Sequence, residues 1–241
     1  MSKTAYLIGL LCLVTASVVI VLMSDGCKKD NPVSSENTIS EENLMPLALG
    51  RLWVYTVYDL DTAAGQKIPS TVHREASYVY AASITIGGKS AFGMIDSIYT
   101  PAGTLNSIDT SYLAVENGDF LQWDQGHSIW ITMFKKSAGL NVEYQAGQYQ
   151  ETYYGTPVDI VFKGTILPKE TVSAPIGTVQ AYKVQVKVTA VVGGVSYDAQ
   201  LVYLYFADGY GPVRIFSPPQ YEAESDVKIK GQEQLLVSKN F

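Results

Sequence analysis

Two long alternating runs, Ala181–Val192 and Val195–Ala207, meet at Gly193-Gly194. Both glycines can take positive φ without a Cβ clash, so the pair reads as the two-residue turn of a β-hairpin. That turn sets Val192 opposite Val195. The expected pairs then run Ala190/Tyr197, Val188/Ala199, Val186/Leu201, Val184/Tyr203 and Tyr182/Tyr205. Every pair on that face is apolar or aromatic. The other face, with Thr189/Asp198, Lys187/Gln200 and Lys183/Leu204, is mixed and partly wet. A slip of one residue would exchange the two faces, so the pattern is expected to hold this register.

The same punctuation recurs along the chain. Gly87-Gly88 separates strand-like runs at Thr71–Ile86 and Lys89–Thr100. Asn117-Gly118, the strongest hairpin signal, separates Ser107–Glu116 from Phe120–Trp123, and further runs occupy Ser128–Lys135 and Val158–Leu167. With 17 Tyr, 20 Gly and few runs of helical period, the domain is all-β. The fold expected is one antiparallel sheet of about ten or eleven strands, curled into a barrel or half-barrel, with a two-sheet sandwich as the alternative.

The start of the chain carries an address. Lys3 precedes an apolar run from Ala5 to Met23, the layout of a secretory signal, although the run is also long enough for an uncleaved anchor helix. Ser24-Asp25-Gly26-Cys27 resembles the lipobox of bacterial lipoproteins, in which the cysteine becomes acylated; it departs from the usual pattern at Ser24 and Asp25. Residues 1–26 then form the signal peptide. Residues 27–43 are a lipidated Cys27 and a polar tether that contains Pro32 and too little apolar surface to offset its ordering entropy. Residues 44–241 are the β domain. Lys28 and Lys29 follow Cys27 where an Asp would resemble an inner-membrane retention signal, which implies the outer membrane. The inner membrane, through the uncleaved helix, is the alternative address.

Three stretches of the domain share a further likeness. They are Pro46-Leu47-x-x-Gly50-x-x-Trp53-x-Tyr55, Val172-x-x-Pro175-x-Gly177-Thr178-x-x-Ala181-Tyr182-x-Val184, and Tyr205-Phe206-Ala207-x-Gly209-x-Gly211-x-Val213. Together with the closing Gln234–Asn240 they resemble a large group of uncharacterised secreted bacterial lipoproteins. The resemblance implies a fold and an envelope address and brings no catalytic residues with it.

Chemistry leaves little trace. The chain has no G-x-S-x-G elbow, phosphate loop or H-E-x-x-H, and its two cysteines, Cys12 and Cys27, both precede the domain. Asp59-x-Asp61 begins like a calcium loop but has Ser70 where the twelfth-position Glu would stand, so no metal is expected. No cofactor is called for, and the formal charge of -6 disfavours nucleic acid. His73 reads as an exposed strand residue, and His127 as part of a polar turn with no ligand partner at metal spacing. Trp123, Trp130 and Phe134 read as core aromatics. The sequence therefore points to a non-enzymatic envelope lipoprotein; a hydrolase, which would need acidic residues scattered over loops, such as Asp96, Asp109, Glu116, Asp119 and Glu143, to come together in the fold, is the last alternative. One candidate site is the apolar hairpin face, Tyr182, Val184, Val186, Leu201, Tyr203 and Tyr205, which would hold an apolar small molecule in a concave sheet. The other is the Gln/Gly-rich segment 145–157, read as an irregular loop, whose Tyr149, Tyr153 and Tyr154 would bind a glycan or protein.

Overall fold

In a computed structural model, Ile39, residues 43–222 and residues 227–241 are described. The strands are β1 Leu52–Leu60, β2 His73–Ile86, β3 Lys89–Tyr99, β4 Leu105–Glu116, β5 Asp119–Asp124, β6 Ile129–Phe134 and β7 Glu143–Tyr153. They continue with β8 Thr156–Ala174, β9 Gly177–Val192, β10 Val195–Ala207, β11 Gly211–Ser217, β12 Gln220–Glu222, β13 Val227–Ile229 and β14 Gly231–Lys239. Twelve of them form one antiparallel sheet in the order β6-β5-β4-β3-β2-β1-β14-β11-β10-β9-β8-β7, and β12 and β13 pair separately. The sheet curls into a nearly closed barrel whose two edges, β6 and β7, lie side by side without a ladder between them. A single curled antiparallel sheet, not the sandwich alternative, is what was expected, with twelve strands in place of about ten or eleven.

Those turns take the backbone they were read to need. Gly87 and Gly88 have φ of 51° and 78°, Asn117 and Gly118 53° and 85°, and Gly193 and Gly194 58° and 85°. Positive φ at both central residues matches the right-handed twist of the flanking strands.

The central hairpin keeps its expected register only near its turn. Val195 pairs with Val192, Tyr197 with Ala190 and Asp198 with Thr189, but Val188 then pairs with Gln200 instead of Ala199. Ala199 is the extra residue of a β-bulge. Beyond it Val186 faces Val202, Val184 faces Leu204 and Tyr182 faces Phe206, while Lys187 faces Leu201 and Lys183 faces Tyr205. The expected pairs Val186/Leu201, Val184/Tyr203 and Tyr182/Tyr205 are thus displaced by one. Gln220 supplies the reason. With its amide oriented to satisfy both groups, Nε2 donates to the Ala199 carbonyl oxygen at 3.0 Å and Oε1 accepts from the Leu201 N–H at 2.8 Å. A bulge leaves backbone groups without ladder partners, and this side chain takes them up.

A second correction concerns residues 145–157. Most of this segment is strand β7, followed by a turn at Tyr154 and Gly155 and the start of β8, and not an irregular loop. Its alternation is hidden by a bulge around Ala146, after which Tyr149, Glu151 and Tyr153 share one face. The strand β8 is also longer than the run read from the sequence, at 19 residues.

Side chains on the inner face of the barrel form the core. Trp53, Val57, Phe134, Ile166, Val184, Phe206 and Leu236 are all essentially inaccessible. Phe134 meets the rings of Phe206 and Tyr182 with centroids 5.7 and 6.1 Å apart, and Phe120 meets Phe206 at 5.7 Å. Trp123 and Trp130 are not part of this inner core. They pack together on the outer face at 5.2 Å, where the tip of the β2–β3 hairpin lies over them. Gly87 sits so close to both indoles that a Cβ there would collide with them.

The two ends of the barrel differ. At one end the chain enters: the Asn43 N–H donates to Asp208 Oδ1 at 2.9 Å, the Gly209 N–H donates to the Asn43 carbonyl oxygen at 3.0 Å, and Leu44 and Met45 are buried. Ile39, inside the segment read as tether, is buried as well, so the packed domain reaches back to it. The other, distal end carries the β1–β2, β3–β4, β5–β6, β7–β8 and β9–β10 connections. Cys27 and the Ala5–Met23 run lie outside the described residues, and among the described residues no helix is long and apolar enough to cross a membrane.

Candidate functional site

Alternation and register bring a set of polar side chains onto the inner face toward the distal end. From β2 come His73, Glu75 and Ser77, opposite Val57, Tyr55 and Trp53 of β1. Asp96 of β3 pairs across to Ser77 on one side and to Asp109 of β4 on the other. Both neighbouring hydroxyls hold it: Ser77 Oγ donates to Asp96 Oδ1, and Ser111 Oγ donates to Oδ2 at 2.8 Å. Glu75 is buried and stands 3.7 Å from His73 Nε2. His73 is therefore half-buried beside a carboxylate, not the exposed strand residue expected. Asp124 and Glu151 continue the series on β5 and β7. Gln122, opposite Leu113 on this face, is exposed. Of the cations on these strands, Arg74 pairs with Thr56 on the outer face and covers the Tyr99 ring at 5.0 Å.

The negative charges reach into the core. Tyr55, buried and donating to the Pro212 carbonyl oxygen at 3.0 Å, has its phenol pushed far up by burial and then by the charges of Asp96 and Glu75.

His127 closes the seam between β6 and β7. The β5–β6 turn is fixed by Asp124 Oδ1, which accepts from the Gly126 N–H at 2.9 Å, and by Gln125 Nε2, which donates to the Thr110 carbonyl oxygen at 2.6 Å. Asp124 Oδ2 lies 2.7 Å from His127 Nδ1, and Glu151 Oε1 lies 2.6 Å from Nε2. The imidazole stacks flat on Tyr149, 3.6 Å away and 7° off parallel. Asp124 and Glu151 are thus two carboxylate partners for a histidine read as having none. The first is visible locally, since an Asp three residues before a His in a Gly-containing turn is positioned to bond it. Glu151 has no local signal, because only barrel closure brings β7 to β5. Both ring nitrogens are engaged. Among the described residues no group of three or more His, Cys, Asp or Glu side chains is arranged to hold a metal ion.

The apolar set read from the hairpin is split by the Ala199 bulge. Tyr182, Val184 and Val186 remain on the inner face, where they are buried by the chain's own side chains. Leu201, Tyr203 and Tyr205 lie on the outer face. There Lys183 Nζ stands 4.7 Å over the Tyr203 ring and 5.6 Å over Tyr205, and Arg214 stands 5.0 Å over both Tyr205 and Phe216. Glu233 pairs with Arg214 and Lys67, each at 2.7 Å. The six residues therefore do not form one lining. The tyrosine segment is divided too: Tyr149 and Tyr153 are half-buried, while Tyr154 is 91 % exposed at the distal end.

No family model matches the chain, and no curated protein matches it in sequence. Its fold does match solved structures. A provisionally assigned lipoprotein from Parabacteroides distasonis ATCC 8503 superimposes with a TM-score of 0.52 at 15% identity, over 82% of this chain and 98% of that one. A provisionally assigned exported protein with a YmcC-like fold, from Bacteroides fragilis NCTC 9343, superimposes with a TM-score of 0.50 at 14% identity, over 81% and 98%. At such identities the likeness is one of fold.

Proposed function

We propose that this chain is a lipid-anchored envelope protein, held at the outer membrane through Cys27, that binds a basic protein segment at the distal mouth of its barrel. The observation that carries this reading is the contrast between the two halves of the inner face. Around Val184, Phe206 and Phe134 that face is occupied by buried apolar side chains of the chain itself. Toward the distal end the same face carries Asp96 and Asp109, with Glu75 buried beside His73, Asp124 and Glu151 held by His127, and Gln122 exposed. Clustered carboxylates in a low-dielectric cleft focus a negative potential on an approaching cation. The envelope address is supported by the signal-like start, by Gly26-Cys27 and by the resemblance to secreted lipoproteins.

The test uses the full chain in detergent and a fluorescent oligolysine probe. Asp96→Asn/Asp109→Asn is expected to weaken binding about tenfold, the effect of some 1.4 kcal/mol of lost attraction. Asp198→Asn, which alters a carboxylate paired with Lys187 on the outer face, is expected to leave it unchanged. Equal loss in both variants moves the contact away from the mouth. Salt-insensitive binding of a neutral oligosaccharide in place of the probe makes the partner a glycan. Displacement of a fluorescent fatty acid that Val186→Trp abolishes returns the site to the hairpin and the function to a carrier.

A further inference from the structure

We propose that Asp124, His127 and Glu151 form a pH-operated latch across the β6–β7 seam, closed when His127 carries a proton and released when it does not. The seam is where the barrel lacks a ladder. Around it side chains and close packing stand in for backbone bonds. Tyr144 Oη of β7 donates to the Met133 carbonyl oxygen of β6 at 3.2 Å, and at Gly147 an added Cβ would meet the Trp130 carbonyl oxygen at 3.4 Å. Toward the distal end the connection is His127, which joins the β5–β6 turn to Glu151 through one ring nitrogen and is braced by Asp124 through the other.

The sign follows from what faces the ring. An imidazolium donates from both nitrogens and neutralises both carboxylates. A neutral imidazole can donate from only one nitrogen, so one carboxylate loses its donor and two negative charges are left on opposite sides of an uncharged ring. The titratable groups around the ring are Asp124 from β5 and Glu151, Tyr149 and Tyr153 from β7; Asp109 of β4 is the next carboxylate along the inner face. None of them is a cation. Burial works against the charged ring, but the hydrogen bonds and charges of Asp124 and Glu151 outweigh it, and the His127 pKa is raised above its ordinary value. The Tyr149 phenol under the ring is pushed up chiefly by burial, then by Glu151 and Asp124, so it stays neutral throughout. A group whose pKa is raised on closing holds the closed form fully below its open-state pKa, near 6.5, and lets it go as pH rises through the closed-state value.

The latch does not depend on what the mouth binds, and it is read by amide hydrogen exchange on the full chain. The signals compared are residues 129–134 and 143–153, at the seam, and residues 184–188 of β9, each corrected for intrinsic exchange. In the wild type, seam protection is expected to fall several-fold as pH rises from 5.5 to 8.5, while β9 protection stays constant. His127→Gln is expected to flatten the seam curve. Glu151→Gln keeps a hydrogen-bond acceptor but removes a charge, and is expected to move the release to lower pH. A flat wild-type curve overturns the latch, and so does a curve that His127→Gln leaves unchanged. Should His127→Gln fail to protect β9, the direction of the Glu151→Gln shift decides: release at unchanged or higher pH overturns it.

Discussion

Gly164 of β8 shows how much one hydrogen atom in place of a methyl group decides. It pairs with Tyr144 across β7–β8, and an added Cβ would collide with the phenol end of the Tyr144 ring, at Cζ, Oη and Cε2. That placement lets Tyr144 reach the Met133 carbonyl oxygen on the far side of the seam. Gly164→Ala must push the ring aside, so it is expected to destabilise the domain by about 1–3 kcal/mol, as overpacking does. Gly155→Ala, at φ 82° in the β7–β8 turn with no atom near a new Cβ, carries only backbone strain, roughly 1 kcal/mol. Urea unfolding of the two variants separates them; equal midpoints would mean that the ring moves freely. At this scale the sequence was a partial guide. A glycine inside a strand marks a close approach, but which side chain approaches it is set by a partner 20 residues away. His127 was half legible in the same way, with Asp124 beside it in sequence and Glu151 hidden on another strand.

At the scale of the element, hairpins were readable wherever a turn requires positive φ at two successive residues. The inner face of β10 was not readable in this way, and the cause is specific. Leu201, Tyr203 and Tyr205 alternate with Val202, Leu204 and Phe206, so either set could face a core and the binary pattern does not choose. Gln220, which lies beyond β11 at the start of β12, makes the choice by holding the Ala199 bulge. Gln220→Ala leaves the Ala199 carbonyl and the Leu201 N–H unpaired and is expected to destabilise by about 1–3 kcal/mol. Deleting Ala199 removes the bulge altogether. It would turn Val202, Leu204 and Phe206 outward and bring Tyr203 and Tyr205 into the space that Phe134 and Val184 fill, a loss large enough to prevent folding at moderate urea. Circular dichroism and urea titration of both variants provide the check. A deletion variant as stable as the wild type would show that the two faces are interchangeable after all.

The whole molecule is polarised along the barrel axis. The chain enters at the end where Asn43 bonds Asp208 and Gly209, and the mouth with its carboxylates lies at the other end. If Cys27 is the acylated residue, eleven residues separate it from buried Ile39, and a fully extended chain across those positions reaches at most about 40 Å. Several acyl chains hold such a protein firmly, at about 0.8 kcal/mol per buried CH₂, whereas one chain holds it marginally. The entry end should then rest near the headgroups and the mouth should face away from them. Leu49, 64 % exposed at the entry end, and Ala102, exposed in the β3–β4 turn at the distal end, suit single-cysteine labelling because the processed chain has no other free thiol. In vesicles with a headgroup quencher, a dye on Leu49→Cys is expected to lose at least half its emission and a dye on Ala102→Cys to keep nearly all of it. Adding Cys27→Ser is expected to release the protein from the vesicles and abolish the difference. Equal quenching of the two dyes would mean that the barrel lies on its side, with the mouth no freer than the entry. Retention of the Cys27→Ser protein on vesicles would assign the anchor to the apolar run from Ala5 to Met23.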